Sequence, residues 1–126
     1  MTRRVVTVTP ETSFKDALRI MRARRVSGLP VVDSNGHLVG IVTEGDLLYK
    51  VEQSDMGAYA SALDVGSAMT TPVKSVPPDF PIALAAREMH TRGFKRLPVV
   101  DAVGNLVGIV SRGDLLTVFL HTAPHA

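Results

Sequence analysis

A hydroxyl residue and an aspartate stand three positions apart at two places in the chain, with a glycine before each aspartate. The first place is Thr43-Glu44-Gly45-Asp46 and the second is Ser111-Arg112-Gly113-Asp114. A hydroxyl followed three residues later by a carboxylate is typical of a capping box, in which both side chains bond backbone N–H groups at the start of a helix. A carboxylate can also accept hydrogen bonds from both hydroxyls of a ribose, and a helix N-terminus favours a neighbouring phosphate. The motif therefore fits either a structural cap or a nucleotide site.

Both motifs lie in a duplicated sequence. Residues 29–48 and 97–116 are identical at 15 of 20 positions, and residues 1–48 match residues 69–116 at 24 of 48 positions without a gap. An ordinary composition gives roughly one chance identity in fifteen positions. Two copies in 126 residues predict a unit with pseudo-twofold symmetry rather than a solenoid of short repeats.

Each copy predicts the element order β-α-β-β-α, so the expected fold class is α/β. In the first copy, the β-branched run 5–8 predicts a strand. Ser13 and Asp16 have capping-box spacing, and a 3.6-residue apolar period beginning at Phe14 predicts a helix that ends near Arg25. Strands are expected at 29–32 and 38–42 and a second helix at 43–51, with a turn at 33–36 that places Gly36 at positive φ.

The second copy repeats this pattern with different helix-start residues. Asp79 is a cap candidate, Pro81 suits the first turn, and the apolar stripe of residues Ile82, Ala85, Ala86 and Met89 predicts a helix that ends near Gly93. The expected domain boundaries are repeat one at 1–53, a linker at 54–68 with a candidate helix at 58–63, repeat two at 69–120 and a frayed tail at 121–126. Residues 62–68 have no counterpart before residue 1, so we interpret the first copy as truncated at its front.

The composition excludes several classes of function. Without cysteine the chain has no disulfide, no thiolate metal site and no cysteine nucleophile. The apolar runs fall far short of the ~20 residues of a membrane span, and no signal-peptide pattern is present, so we expect a soluble cytoplasmic protein with no membrane partner. The four histidines form no evident ligand set, and no histidine is placed to orient a nucleophile, so neither a metal site nor catalytic residues are expected.

The order of elements, the Leu-Pro-Val-Val-Asp strand, the glycine turn and the Gly-Ile-Val-Thr/Ser-x-Gly-Asp-Leu-Leu segment closely resemble a tandem pair of CBS domains, named after cystathionine β-synthase. The resemblance covers residues 1–120. It implies that the two repeats pack through their strands into one Bateman module and that modules pair into disc-like homodimers. It also implies that clefts between the repeats bind adenosyl ligands, such as AMP, ADP, ATP or S-adenosylmethionine, with no required cofactor. Such a module regulates an attached domain, a partner protein or a domain that the chain lacks.

The resemblance assigns the site residues. Asp46 and Asp114 match the family's ribose-binding aspartate, Thr43 and Ser111 match the hydroxyl beside the ribose and first phosphate, and the glycines of both motifs keep the entrance open. The segment before the second strand lines the adenine side and, when basic, reaches phosphates; it is Val26-Ser27-Gly28 in copy one and Phe94-Lys95-Arg96 in copy two.

Because a cleft in this family often combines this segment with the aspartate of the other repeat, Lys95 and Arg96 are expected to serve the Asp46 site. That site should then prefer phosphorylated ligands. Ser27 and Gly28 would serve the Asp114 site, whose adenine wall the truncated front leaves in question. The alternative for Lys95 and Arg96 is a solvated helix exit that favours the C-terminal helix dipole.

Other functions remain open from the sequence. A ligand-free dimerisation module would use the duplication for association alone. A nucleic-acid binder would use the basic cluster of the first helix, formed by Arg19, Arg22, Arg24 and Arg25, although a solvated helix face explains the same residues. The net charge of +2 gives little support to binding of nucleic acid.

Overall fold

The computed structural model describes residues 5–53 and 63–121 and divides the chain into two compact units. The N-terminal unit comprises residues 6–73, and the described part of the C-terminal unit is chiefly residues 74–121. Both are mixed α/β, which confirms the predicted fold class.

Each unit is built from two helices and an antiparallel pair of strands. The N-terminal unit contains α1 (Phe14–Arg24), β1 (Gly28–Val32), β2 (Leu38–Thr43), α2 (Glu44–Gln53) and a 3₁₀ helix at Val65–Ser67. The C-terminal unit contains α3 (Ile82–Arg92), β3 (Arg96–Val100), β4 (Leu106–Ser111) and α4 (Arg112–His121). β1 pairs with β2, and β3 pairs with β4. None of the helices in the described ranges is long and apolar enough to cross a membrane.

The predicted first strand is reduced to one bridging residue in each unit. Val8 N donates to Pro30 O at 3.1 Å, and Val8 O accepts from Val32 N at 2.9 Å, which is a parallel bridge to β1. Extending this ladder in either direction requires an N–H from Pro30 or from Pro10, and proline has none. Prolines at the matching positions limit the bridge of Val76 to β3 in the same way.

The two first helices begin differently. At α1, Ser13 Oγ accepts from Asp16 N at 3.1 Å, so the predicted cap is confirmed. The prediction that Asp79 caps α3 is wrong, since Pro81 holds the N-cap position and no side chain bonds the first turn. Asp79 lies in the preceding turn, two residues before the N-cap, and Pro81 stands one position earlier than expected.

Each unit has its own aliphatic core. α1 buries Phe14, Ala17 and Met21, as the period predicts. α3 buries only two residues of the predicted stripe, Ala85 and Met89, because Ile82 and Ala86 are exposed. The N-terminal core also includes Val65 from the 3₁₀ helix, which is fully buried.

Two predictions fall partly outside the described residues. Of the candidate helix at 58–63, only Leu63 is described, and it is not helical. Of the predicted tail, only His121 is described, as the last residue of α4.

Candidate functional site

The first candidate site is the corner where β2 passes directly into α2. Thr43 Oγ1 accepts from Asp46 N at 3.1 Å, and Asp46 Oδ2 accepts from Thr43 N at 2.9 Å. Each side chain thus bonds the backbone of the other residue, which is the reciprocal geometry of a capping box. The two bonds fix a half-buried carboxylate beside a hydroxyl at the positive end of a helix.

The corner between β4 and α4 repeats this geometry. Ser111 Oγ accepts from Asp114 N at 3.1 Å, and Asp114 Oδ2 accepts from Ser111 N at 2.8 Å. The capping interpretation of the sequence is therefore confirmed at both places. We refer to the two as the first corner (43–46) and the second corner (111–114).

Capping does not exhaust the hydrogen-bonding capacity of these side chains. An ionised carboxylate has two oxygens with about four acceptor positions, and a hydroxyl that accepts one bond can still donate another. The cap uses Oδ2 of each aspartate, and within 5–53 and 63–121 no donor is bonded to Oδ1 of Asp46 or Asp114. One carboxylate oxygen and one hydroxyl proton at each corner thus remain available to a ligand.

The glycines of the motif leave the hydroxyls open to approach. A Cβ built on Gly45 would meet only Thr43 Oγ1, at 3.7 Å, and one built on Gly113 would meet only Ser111 Oγ, at 3.6 Å. A methyl group would therefore fit without a clash but would lie against the hydroxyl oxygen. That these glycines keep the entrance of a ligand site open stays a prediction.

In the N-terminal unit, strand pairing brings the segment 26–28 to the first corner. Gly28 is the cross-strand partner of Thr43, and Glu44 N donates to Ser27 O at 2.9 Å. A Cβ on Gly28 would lie 3.3 Å from Thr43 Cγ2, so the two residues pack tightly. Val26 packs against the core, whereas Ser27 is exposed.

In the C-terminal unit, the same pairing brings the segment 94–96 to the second corner. Arg96 is the cross-strand partner of Ser111, and Arg112 N donates to Lys95 O at 3.1 Å. Arg96 is half-buried, Lys95 is exposed, and 37% of Phe94 is exposed. Pairing Lys95 and Arg96 with Asp46 joins residues of different units and stays a prediction.

Arg112 is a candidate that sequence reasoning did not single out. Its Nε donates to Phe94 O at 3.2 Å, which attaches the start of α4 to the segment before β3. The signal that could have found it is a charge reversal, because Glu44 occupies the same position in the first motif.

The turns before β2 and β4 carry the described carboxylates whose pKa is perturbed. The pKa of Asp33 is lowered mainly by the backbone N–H of His37, which donates to Oδ1 at 3.0 Å, with further help from the N–H of Asn35. The pKa of Asp101 is lowered mainly by the backbone N–H of Asn105, at 2.9 Å. Both side chains close turns with a positive-φ glycine, at Gly36 as predicted and at Gly104, so they serve the fold.

Other described features contribute little to a site. Across the described ranges, no group of three or more histidine, aspartate or glutamate side chains is arranged to hold a metal ion. Of the basic cluster on α1, Arg19 pairs with Asp16 at 3.0 Å, while Arg22, Arg24 and Arg25 are exposed.

The sequence model of the CBS domain matches this chain twice, over residues 1–53 and 64–121. The chain belongs to the CBS domain family. The two corners are therefore the equivalent motifs of two CBS repeats, and the predicted tandem pair is confirmed.

Solved structures and curated relatives support this assignment. The crystal structure of CBSX2 from Arabidopsis thaliana in complex with AMP is 39% identical, with a TM-score of 0.83, covering 95% of this chain and 92% of that one. The CBS domain pair of MJ0100, in complex with 5′-methylthioadenosine and S-adenosyl-L-methionine, is 28% identical, with a TM-score of 0.78 and coverage of 94% and 93%. The inosine-5′-monophosphate dehydrogenase of Thermoplasma acidophilum is 35% identical over 91% of this chain, which spans only 22% of that enzyme.

Proposed function

We propose that the chain is a regulatory module that binds adenosine-type ligands at its CBS repeats and thereby controls a partner protein or a further domain. The observation that carries this proposal is the pair of corners, each with a fixed carboxylate oxygen and a hydroxyl proton still available beside a helix N-terminus. The AMP complex of CBSX2, a close structural relative, supports the choice of ligand class.

Each residue has a chemical role in this proposal. Asp46 and Asp114 accept hydrogen bonds from the ribose hydroxyls through Oδ1, while Oδ2 stays on the cap. Thr43 and Ser111 donate to the ribose or to the first phosphate, which the first-turn N–H groups also attract. Phe94 offers an apolar surface to the adenine, and Lys95 and Arg96 supply charge for phosphates.

The regulatory output follows from the ligand's preference for one state of the module. Binding shifts an existing equilibrium only when the two states differ in affinity for the ligand. The presence of a related segment within a dehydrogenase of larger size supports control of an attached domain, and a homodimer of modules is the proposed arrangement. The proposed module performs no turnover of its ligand.

A thermal-shift panel tests this function. A ligand at 100 times its Kd stabilises the protein by about 2.7 kcal/mol, which raises Tm by roughly 10 °C for a chain of this size. AMP, ADP, ATP, S-adenosylmethionine and 5′-methylthioadenosine are compared on the unmodified chain, Asp46→Asn, Asp114→Asn and the control Glu52→Gln, which removes an exposed carboxylate at the far end of α2.

The proposal predicts that at least one ligand raises Tm and that one or both aspartate variants lose the shift while the control keeps it. A flat response of the unmodified chain would favour the ligand-free dimerisation module. If the chain binds to immobilised nucleic acid and added salt removes that binding, a nucleic-acid binder that uses the basic face of α1 would be favoured.

A further inference from the structure

The two corners carry opposite charge although their backbones repeat each other. Between residues 29–48 and 97–116, the one position where an acid is replaced by a base is Glu44, whose counterpart is Arg112. The segments that pair with the corners change in the same direction, since Ser27 and Gly28 are replaced by Lys95 and Arg96. The first corner and its paired segment therefore hold two carboxylates and no base, whereas the second holds three bases and one carboxylate.

In the C-terminal unit, strand pairing and the helix start bring the residues that carry this charge next to Ser111. Arg96 lies directly opposite Ser111, and cross-strand partners are about 5 Å apart at their Cα atoms. Arg112 follows Ser111 in the chain, and its backbone N and its Nε are bonded to carbonyls of Lys95 and Phe94. Those bonds hold the backbone of Arg112 and the Nε of its guanidinium against the segment 94–96, which pairs with the corner. In the described parts of the chain, no residue is bonded to its terminal Nη atoms, so they can reach an anion.

The first corner has the opposite field. Glu44 is exposed, follows Thr43 directly and donates its backbone N–H to Ser27 O. A phosphate near the first turn of α2 would gain from the helix N-terminus but would stand beside both Glu44 and Asp46. An adenosyl group without a phosphate keeps the ribose contacts of Asp46 and avoids this repulsion.

We infer that Glu44 and Arg112 determine the ligand class of the two corners. The second corner takes adenosine ligands that carry a 5′-phosphate, and the first corner takes adenosyl ligands that lack one. This inference rests on the proposed function. It differs from the family-based expectation, which gives the phosphorylated ligand to Asp46.

Calorimetric titration of the full chain with AMP and with 5′-methylthioadenosine tests the assignment. The variants are Glu44→Gln, Glu44→Arg and Arg112→Gln, with Glu52→Gln and Arg87→Gln as controls that remove exposed charges elsewhere. Since all of these side chains are exposed, the fold should tolerate the changes, and thermal unfolding without ligand verifies this.

Arg112→Gln should raise the Kd for AMP about fivefold, which is the size of one exposed charge contact, and should leave the Kd for 5′-methylthioadenosine unchanged. Glu44→Arg should raise the AMP stoichiometry from one to two per chain. Added salt should weaken AMP at the second corner and reduce the difference between Arg112→Gln and the unmodified chain. The controls should bind both ligands as the unmodified chain does.

Aspartate variants identify the corner. If Asp114→Asn loses AMP binding and Asp46→Asn keeps it, the inference is supported. If only Asp46→Asn loses AMP binding, the inference is overturned and the pairing of Lys95 and Arg96 with Asp46 is supported. Unchanged AMP affinity in Arg112→Gln also overturns it. If the unmodified chain binds neither ligand, the proposed function itself fails. That result differs from binding of both ligands with an AMP affinity that does not depend on Arg112, which overturns only the inference.

Discussion

Ile41 and Thr70 exchange two backbone hydrogen bonds, at 3.1 and 2.8 Å, although 28 residues separate them in the chain. Thr70 belongs to the second sequence copy, yet this contact attaches it to β2 of the N-terminal unit. Val65, Ala68 and Met69 pack on the same core. The sequence repeat and the structural unit therefore end at different residues.

This contact predicts the length of fragment that can fold. A fragment of residues 1–73 retains Val65 in the core and the bonds of Thr70, and we expect cooperative urea unfolding. A fragment of residues 1–62 loses both, and a unit of this size has little stability in reserve, so we expect it to be largely unfolded. Circular dichroism during urea titration distinguishes the two; equal stability of both fragments would show that residues 63–73 are dispensable.

A second prediction concerns the close approach of Met69 to β2. A Cβ on Gly40 would lie 2.6 Å from Met69 Sδ and 3.0 Å from its Cγ. Gly40→Ala should therefore lower the free energy of unfolding by about 1–3 kcal/mol through overpacking. Met69→Ala removes the obstacle, so the double variant should be more stable than the sum of the single effects allows. Strict additivity in urea unfolding would refute a direct contact.

A third prediction uses the second corner as the control for the first. Thr43→Ala removes the acceptor of Asp46 N and should cost about 1 kcal/mol of unfolding free energy. Thr43→Ser should be nearly neutral, because Ser111 makes the same bond to Asp114 N at 3.1 Å. Ser111→Ala should cost about as much as Thr43→Ala. If Thr43→Ser is as harmful as Thr43→Ala, the methyl group rather than the hydroxyl is the stabilising part.

A fourth prediction compares the ends of α1 and α3. Arg25 has φ of 55° and Gly93 has φ of 72°, so both lie in the left-handed region that favours glycine. Arg25→Gly should raise the free energy of unfolding by up to about 1 kcal/mol. Gly93→Ala should lower the free energy of unfolding by about the same amount. A Cβ at Gly93 would have no atom within 4 Å, so the cost comes from the positive φ and not from a clash. Thermal unfolding of the two variants should shift Tm in opposite directions.

Local chemistry explains why much of the fold was predictable. The caps at Ser13, Thr43 and Ser111 depend on residues three positions apart, so their spacing in the sequence is sufficient to indicate them. The same holds for the turn at Gly36. The prediction that Asp79 is a cap failed because a cap also depends on where the helix starts, and the helix starts after Pro81.

Contacts that depend on strand register were beyond the sequence pattern. The partner of Val31 is Gly40, but that of Val32 is Leu38, so Val39 is an extra residue in β2 and the bulge changes the pairing register there. A count back from the turn that assumes regular pairing therefore does not place Gly28 opposite Thr43. The equivalent bulge in β4 sets Arg96 opposite Ser111, which is why the position of Arg96 at the second corner became evident only in the structure.

The last prediction concerns acid stability and the turn carboxylates. Backbone N–H donors lower the pKa of Asp33 and Asp101 below the ordinary value of 3.8 in the folded state. A group whose pKa is lower when folded contributes stability above its unfolded pKa and loses it as the pH falls toward the folded pKa. Part of the unfolding free energy should therefore disappear below about pH 4.

The double variant Asp33→Asn/Asp101→Asn tests this, because asparagine can accept the same backbone bonds without titrating. It should be less stable than the unmodified chain near pH 7, and its stability should fall less between about pH 5 and pH 3. Urea unfolding at a series of pH values measures both effects, with Glu52→Gln as an exposed control. Parallel pH profiles for the unmodified chain and the double variant would assign the acid sensitivity to other groups.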